Sequence, residues 1–291
     1  MAKNLQGLSA IVTGGSRGIG AGIALELASR GANVLITYQS ASSQAEEVAS
    51  KIKALGSDAL IVQAAGSDKE APSRIVRAAV EKWSHIDIII NNAGAGDDCL
   101  LKDMTYEMWD KIMNTNVRLA TFVVKESMPH LGKAPRIVNI SSVIGRMGGA
   151  YATAYCASKA ALEGVTKVWA AELGQSHNAT VNCVNPGPVG TDMWLRDTGA
   201  EVLAEWDVKM KETPAAARIG TVDDIAQIVA FLASEGSRWS TGSTVNANGG
   251  LCFDEIDVGV PSRCLIAITR FPYHVHTPLM CTLDFEGYAI A

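Results

Sequence analysis

Short apolar runs rich in β-branched residues alternate along this chain with longer segments in which apolar residues recur at helical spacing. The short runs predict buried strands, because residues that pack on both faces of a sheet are apolar throughout. Seven strands are predicted, at residues 9–13, 33–38, 59–63, 86–91, 136–141, 179–184 and 243–246. Helices are predicted at residues 19–30, 43–55, 71–83, 106–128, 152–174 and 222–233, the last opened by Thr221 as its cap.

This alternation predicts a fold class and a domain organisation. Strands that are separated by helices indicate an α/β fold, in which a parallel sheet is covered on both faces. We find no linker and no internal repeat in residues 1–250, so we expect one doubly wound domain with a parallel seven-stranded sheet. The alternation stops beyond residue 250. Residues 251–291 contain Pro261, Pro272 and Pro278, and we expect an irregular C-terminal extension there.

Composition and charge exclude several classes of function. The 291 residues are 48% hydrophobic and 19% charged, which is typical of a globular protein rather than a disordered one. The net charge is −5 and no basic stripe is present, so no nucleic-acid partner is expected. The chain has no secretory signal pattern and no run of about 18 apolar residues, so we expect no membrane span and a cytoplasmic location. The six cysteines form no Cys-x-x-Cys pair and are expected to be free thiols.

The first predicted strand ends in a glycine-rich loop, Thr13-Gly-Gly-Ser-Arg-Gly-Ile-Gly20. Glycine permits a positive φ and lets a phosphate approach the backbone closely. The N-terminus of the following helix offers N–H groups and a favourable dipole to a pyrophosphate. The spacing Gly-x-x-x-Gly-x-Gly differs from the usual Gly-x-Gly-x-x-Gly fingerprint. Its place between a strand and a helix favours a nucleotide site, and a glycine-rich turn without a ligand is the alternative.

Tyr155 and Lys159 are four residues apart in a predicted helix and therefore lie on the same face of it. An ammonium beside a phenol favours the phenolate, which lowers a phenol pKa that starts near ~10. A phenol with a lowered pKa is a useful proton donor or acceptor near neutral pH. Tyr–Lys pairs without chemical roles show the same spacing, so the pair alone leaves both interpretations open.

Four motifs, in this order, resemble the short-chain dehydrogenase/reductase family. They are the loop at residues 13–20, Asn91-Asn-Ala-Gly94 after the fourth strand, Ser142 with Tyr155 and Lys159, and Pro186-Gly187 after the sixth strand. The likeness covers about residues 7–250. It is strongest to fungal hydroxynaphthalene and versicolorin reductases and to 3-oxoacyl-carrier-protein reductases. The resemblance implies a single doubly wound Rossmann domain.

The resemblance also implies a catalytic role for each matching residue. Tyr155 is expected to be the general acid that protonates a carbonyl oxygen as hydride arrives. Lys159 is expected to lower the pKa of Tyr155 and to hold the nicotinamide ribose. Ser142, thirteen residues before Tyr155, is expected to position the substrate oxygen and is preferred to its neighbour Ser141. Asn116 is expected to interrupt its helix and to anchor a water for proton relay.

The same resemblance implies that the cofactor is NADP(H). Tyr38 ends the second strand, where NAD-binding proteins carry an acidic residue, so no carboxylate there would repel a 2′-phosphate. Arg17 can add a cation and Ser40 a hydrogen bond. The expected cofactor contacts are Gly14, Ser16, Arg17, Gly18, Ile19, Gly20, Tyr38, Ser40, Asn92, Ala93, Gly94, Tyr155, Lys159, Pro186, Gly187, Val189 and Thr191.

One position departs from the pattern of the family. Family members carry an Asp near the end of the third strand that binds the adenine amino group, and this chain has Ala65 there. The adenine is therefore held less tightly, or Ser67 or Asp68 replaces the missing carboxylate. The resemblance places a mobile substrate lid at residues 192–213. Its expected lining is Met193, Trp194, Leu195 and Trp206, with a surface helix as the alternative.

Two other candidates carry less weight. His274 and His276 would lie on one side of a strand, but no third ligand is near them in the sequence, so no metal site is expected. Cys156 is next to Tyr155 but points away from it on a helix, and we interpret it as a small core residue.

The expected function is NADPH-dependent reduction of a ketone to a secondary alcohol, or the reverse. The expected substrate is a mid-sized hydrophobic carbonyl or alcohol compound of polyketide- or terpenoid-like character, by analogy alone. Reduction of a 3-oxoacyl-carrier-protein is the first alternative. A non-redox role, as a cyclase, dehydratase or binding protein, is the second. The resemblance also implies a homotetramer or homodimer built on the helices at 106–128 and 152–174.

Overall fold

The computed structural model describes residues 3–191, 206, 208 and 210–253. Seven parallel strands form one sheet in the order β3-β2-β1-β4-β5-β6-β7, which confirms the predicted doubly wound α/β fold. The strands are β1 (Ser9–Val12), β2 (Asn33–Tyr38), β3 (Ala59–Gln63), β4 (Ile86–Asn91), β5 (Leu131–Ile140), β6 (Thr180–Pro186) and β7 (Thr244–Ala247). The predicted extension lies outside the described residues from residue 254 onward.

The helices of the described residues follow the predicted ones closely. They are α1 (Gly18–Ser29), α2 (Ser42–Ala54), α3 (Ala71–Trp83), α4 (Tyr106–Met113), α5 (Leu119–Ser127), α6 (Ile144–Met147), α7 (Thr153–His177) and α8 (Val222–Leu232). A capping box confirms Thr221 as the cap of α8, because its hydroxyl accepts from the Asp224 N–H while Asp224 accepts from the Thr221 N–H. None of these helices is both long and apolar enough to cross a membrane.

The core consists of two hydrophobic layers, one on each face of the sheet. Alternate residues of β1 supply both layers, since Val12 packs with α1, α2 and α8 while Ile11 packs with α3, α5 and α7. Ile23 of α1 and Ile75 of α3 are fully buried on opposite faces. Burying a side chain of this size stabilises the fold by about 1.5–3 kcal/mol. Both sides of β1 are therefore apolar, as the sequence pattern had indicated.

The strand order reverses between β1 and β4, and this reversal locates the site. Strand β1 pairs with β2 on one side, through Ile11 and Leu35, and with β4 on the other, through Ile11 and Ile89. Helices that follow β1 and β4 leave toward opposite faces of the sheet. A crevice opens at the carboxyl ends of the strands at such a point, and ligands of doubly wound proteins bind there.

Two elements differ from the predicted pattern. The predicted helix at 106–128 contains a π-helical segment, Asn114–Arg118, which agrees with the interruption expected at Asn116. Strand β5 begins at Leu131, five residues before the predicted start, and Leu131 pairs with Ile86 across a register shift in β4. Its first residues include Gly132 and Pro135, which are poor strand formers. The sequence missed this part because pairing with a distant strand, rather than local propensity, makes it extended.

Candidate active site

Four loops meet at the carboxyl edge of the sheet, after β1, β4, β5 and β6. A Cβ built on Gly14, in the loop after β1, would lie 2.9 Å from Cα of Ala93 in the loop after β4. A Cβ built on Gly18 would lie 3.5 Å from Cγ2 of Thr191 in the loop after β6. The structure therefore brings together segments that are far apart in sequence, and their side chains form one cleft.

The glycine loop is shaped by backbone contacts that leave no room for side chains. Gly14 and Gly18 have φ values of 65° and 55°, in the left-handed region that favours glycine. A Cβ on Gly20 would collide with the carbonyl oxygen of Gly14, so the start of α1 packs directly on the loop. The Gly14 N–H donates to Thr37 Oγ1 over 2.9 Å. Arg17 is exposed at the start of α1 and makes no side-chain capping bond there.

The Asn92-Ala93-Gly94 segment is hydrogen bonded to the glycine loop. Asn92 Nδ2 donates to the carbonyl oxygens of Thr13 and Gly14 over 2.9 and 3.1 Å. The N–H groups of Asn92 and Ala93 both donate to Thr13 Oγ1 over 3.0 Å. These two motifs are at least 70 residues apart in the sequence. In the fold, the hydrogen bonds join them into one rigid unit.

Helix α7 presents Tyr155 and Lys159 to the cleft on one face, as their spacing predicted. Lys159 is only 3% exposed, and its ammonium donates to the carbonyl oxygen of Ile140 over 2.8 Å. Its Nζ lies 5.5 Å from the centroid of the Tyr155 ring. Burial lowers the pKa of Lys159 to about 8, with a smaller opposing effect from Cys183. This lysine is therefore close to its titration point at neutral pH.

The pKa of Tyr155 is shifted in the opposite direction to the predicted one. Burial of the phenol raises its pKa above the ordinary value, and the charge of Asp98 adds to this shift. A hydrogen bond with Ser142 works in the other direction without cancelling it. Burial therefore outweighs the influence of Lys159, whose ammonium lies 5.5 Å from the ring centroid and donates to the carbonyl oxygen of Ile140. Tyr155 is therefore a neutral phenol, the form that donates a proton.

The two adjacent serines at the end of β5 have different surroundings. Ser142 lies close enough to the Tyr155 phenol to lower its pKa, and its Oγ accepts from the Ile144 N–H over 3.3 Å. Ser141 is buried and its Oγ donates to the carbonyl oxygen of Lys159 over 3.0 Å. The contact with Tyr155 supports the preference for Ser142 as the residue that faces a substrate.

Asn116 lies in the π-helical segment and is 1% exposed. Its Oδ1 accepts from the Ala95 N–H over 2.7 Å, and its Nδ2 donates to the carbonyl oxygen of Ala95 and to Ser158 Oγ over 3.0 and 2.9 Å. A π-helical turn inside an α-helix often marks a functional site. Here it directs Asn116 at both the loop after β4 and helix α7. The expected relay water stays a prediction.

Of two glycines in the loop after β4 that lie against α7, Gly94 was predicted from the sequence and Gly96 was not. A Cβ on Gly94 would lie 3.6 Å from Lys159 Nζ, and one on Gly96 would lie 3.3 Å from Cδ2 of Tyr155. The loop is also tied to the start of α7, because the Cys99 N–H donates to the Tyr151 carbonyl over 3.0 Å. The Gly94-Ala-Gly96 spacing after Asn92 is the signal from which Gly96 could have been predicted. The loop therefore forms a wall of the cleft against Tyr155.

The predicted adenosine and nicotinamide contacts lie at the rims of the cleft. Tyr38 is half-buried and Ser40 exposed after β2. Asp68, a candidate to replace the missing carboxylate at Ala65, is instead paired with Arg74 over 2.6 Å. Of the other predicted contacts, Ser16 and Ile19 lie in the segment 13–20 after β1. Pro186 ends β6, and Gly187 and Val189 follow it.

Some expected features fall wholly or partly outside the described residues. These include His274, His276 and the lid residues Met193, Trp194 and Leu195. Trp206 is half-buried. Cys156 is half-buried on α7. In the part of the chain that the structure describes, no group of three or more His, Cys, Asp or Glu side chains is arranged to hold a metal ion.

Known proteins are similar to this chain in sequence and in fold. A family model described as enoyl-(acyl carrier protein) reductase matches residues 14–252. The chain is 63% identical to the short-chain dehydrogenase/reductase FrzI of Cladobotryum sp over 245 residues, covering 84% of this chain and 95% of that protein. It is 38% identical over 245 residues to the 3-oxoacyl-acyl-carrier-protein reductase FabG of Staphylococcus aureus, covering 84% and 97%. It is 36% identical over 257 residues to the hydroxynaphthalene reductase-like protein Arp2 of Metarhizium anisopliae, covering 85% and 96%.

Two solved structures extend these similarities to the fold. A short chain dehydrogenase of Burkholderia cenocepacia in complex with NADP superposes with a TM-score of 0.79 at 39% identity, covering 85% of this chain and 99% of that one. A blue fluorescent protein from a metagenomic library in complex with NADPH gives 0.80 at 36% identity, covering 86% and 100%. The chain belongs to the short-chain dehydrogenase/reductase family of oxidoreductases, as the motifs had predicted.

The contacts of Asn116 generate a prediction about the loop after β4. Asn116→Ala removes three hydrogen bonds and takes away the partner of the half-buried N–H and carbonyl of Ala95, so we expect a loss of about 3 kcal/mol in the free energy of unfolding. We also expect the amide of Ala95 to exchange much faster with solvent. Urea unfolding and hydrogen exchange measure the two effects. Asn33→Ala removes one bond, to Asp58, at the β2–β3 edge and is the control. An Ala95 amide that stays equally protected in both variants would contradict the prediction.

Proposed function

We propose that this protein catalyses the NADPH-dependent reduction of a ketone to a secondary alcohol, or the reverse oxidation. The observation that carries the proposal is the half-buried phenol of Tyr155, which is neutral and lies beside Ser142, with Lys159 Nζ 5.5 Å from its ring centroid. A phenol in this state is a proton donor, and reduction of a carbonyl group needs a proton at its oxygen.

The glycine loop fits a dinucleotide. Cβ atoms at Gly14 and Gly20 would clash with Ala93 and with the Gly14 carbonyl oxygen, so these glycines let the loop pack tightly on the start of α1, where a pyrophosphate would bind. The first turn of α1 has no side-chain cap, and such N–H groups bind phosphate oxygens. Arg17 and Ser40 would hold a 2′-phosphate beside Tyr38, where no carboxylate repels it. Two structural relatives were solved in complex with NADP or NADPH, which supports the same cofactor here.

The residues of the cleft have separate tasks in the proposed reaction. The bound nicotinamide supplies the hydride. Ser142 orients the substrate oxygen toward Tyr155, and Tyr155 gives its proton to the oxygen as negative charge develops there. Lys159, whose pKa is about 8, is charged in a large fraction of molecules at neutral pH and stabilises the phenolate that remains. Asn116 holds the cleft wall at Ala95 against α7.

The proposed substrate is a mid-sized hydrophobic ketone of the kind found in polyketide- or terpenoid-like secondary metabolites. The fungal relatives FrzI and Arp2 support this class, and the name of Arp2 points to an aromatic polyketide-type ketone. The relation to FabG keeps 3-oxoacyl-carrier-protein reduction as the alternative. A comparison of rates on bicyclic ketones and on 3-oxoacyl thioesters distinguishes these two classes of substrate.

We predict that Tyr155→Phe lowers kcat for ketone reduction by about 10²–10⁴-fold, the usual contribution of a general acid. The measurement follows NADPH absorbance with a panel of bicyclic, linear and thioester ketones. Tyr151→Phe is the matched control, because Tyr151 lies four residues earlier, before the start of α7, and is 52% exposed. Full turnover by Tyr155→Phe would instead favour a non-redox or proton-independent role.

We predict that Arg17→Ala raises the Kd for NADPH by about tenfold, since a charge-assisted hydrogen bond contributes about 1.5–3 kcal/mol. The Kd for NADH should change little, because NADH has no 2′-phosphate. Titration of cofactor fluorescence measures both constants. Arg77→Ala, an exposed arginine on α3, is the control. An equal loss of affinity for NADH would refute the assigned role, and equal efficiency of the wild type with NADH would refute the cofactor preference.

We also propose that the protein is a homotetramer or homodimer built on α4, α5 and α7. These helices expose several large apolar side chains, namely Tyr106, Trp109, Phe122 and Val168. A face of this kind is typical of an interface between subunits. We predict that Phe122→Glu, which places a charge on this face, shifts the protein toward the monomer in analytical ultracentrifugation. Leu55→Glu, at an apolar position that is 44% exposed after α2, is the control. A wild-type monomer would refute the proposal.

A further inference from the structure

The groups of the proposed proton donor site come from two separate segments. Ser142 follows β5 and precedes the short helix α6, whereas Tyr155 and Lys159 belong to α7. The connection between α6 and α7 includes Gly148 and Tyr151 at positive φ values of 69° and 68°. A four-residue helix is too short to fix its own position. The N–H groups of Ser141 and Val143 donate to β6, and contacts with α7 complete the support of the Ser142 segment.

The backbone of α6 lies directly on α7. A Cβ on Gly145 would lie 3.1 Å from the backbone nitrogen of Ala160 and 3.2 Å from the carbonyl carbon of Lys159. A side chain at this position would push the two helices apart by a few tenths of an ångström. This contact fixes the distance between α6 and α7. By itself it does not prevent α6 from shifting along α7.

The carboxylate of Glu163 contacts the Ser142 segment at two residues, one before and one after Ser142. Glu163 lies one turn after Lys159 on α7, and its Oε2 accepts from Arg146 Nε of α6 over 2.8 Å. Its Oε1 lies 3.3 Å from Ser141 Oγ and shares that hydroxyl's single proton with the Lys159 carbonyl, which is closer at 3.0 Å. The side chains of Arg146 and Glu163 are 25% and 13% exposed, so water competes with this pair less than with a surface pair.

We propose that Glu163 and Arg146 are positioning residues that set the Ser142 hydroxyl against the Tyr155 phenol. Neither residue belongs to the proposed proton transfer set, and the inference rests on the proposed function only for its kinetic readout. An ion pair at this depth adds little net stability, because desolvation offsets most of the attraction. Its effect is therefore expected in geometry rather than in unfolding.

The kinetic experiment compares variants that remove the charge of one partner of the pair. We expect Glu163→Gln and Arg146→Gln each to lower kcat about tenfold with an unchanged KM for NADPH, because small misplacement of reacting groups is costly in rate. Arg146→Lys should retain most of kcat. The double variant should be no slower than either single one, because both remove the same interaction.

A remote ion pair provides the matched control. Arg30 and Glu26 on α1 are in contact over 2.7 Å, with side chains 16% and 9% exposed. Glu26→Gln should therefore match Glu163→Gln in its effect on Tm and leave kcat unchanged. Equal kcat for Glu163→Gln and Glu26→Gln, or additive losses in the double variant, would overturn the proposal.

A second measurement needs no substrate. Tyr155 is observed by fluorine NMR in protein labelled with 3-fluorotyrosine, and Tyr155→Phe assigns its signal. Since the Ser142 hydrogen bond lowers the Tyr155 pKa, Glu163→Gln should move the titration midpoint upward, in the same direction as Ser142→Ala. An unchanged midpoint in Glu163→Gln would overturn the proposal. A wild type that reduces no ketone would refute the proposed function alone, and this titration would still decide the inference.

Discussion

The parallel arrangement of the seven strands is the constraint on which the site depends. Because all strands point the same way, every loop that follows a strand leaves the sheet at one edge. The glycine loop, the Asn92 segment, Ser142 and the loop after β6 meet there although the chain separates them widely. The reversal of strand order between β1 and β4 opens the crevice in which they meet. The chemistry therefore depends on backbone hydrogen bonds between the strands, although these bonds involve no catalytic side chain.

Buried polar groups then tie the loops to the helix that carries the phenol. Lys159 is anchored on the end of β5 through Ile140, and Asn116 joins the loop after β4 to Ser158. Buried polar groups without partners are costly, so these contacts allow few alternative arrangements. The same burial raises the pKa of Tyr155 and lowers that of Lys159. Rigidity and proton chemistry thus have one physical origin.

Much of the fold was predictable because local pattern and tertiary structure agree. Both sides of β1 are apolar, which is how a strand under two layers of helices must appear in sequence. The start of β5 was missed, since Gly132 and Pro135 carry no strand signal and only pairing with β4 extends them. The site residues were predicted by motif rather than by spacing. The wall glycine Gly96 was not, because nothing near it in the sequence shows that the Tyr155 ring lies against it.

The sequence by itself determined the order of strands and helices, the glycine loop and the identity of the residues that face the cleft. These features are local, or they belong to family motifs that are present in the sequence. The tertiary structure decided the state of the phenol. The sequence predicted that Lys159 lowers the pKa of Tyr155, whereas burial raises it and the ammonium is held at Ile140. Desolvation depends on all atoms around a group, and most of those atoms come from distant parts of the chain.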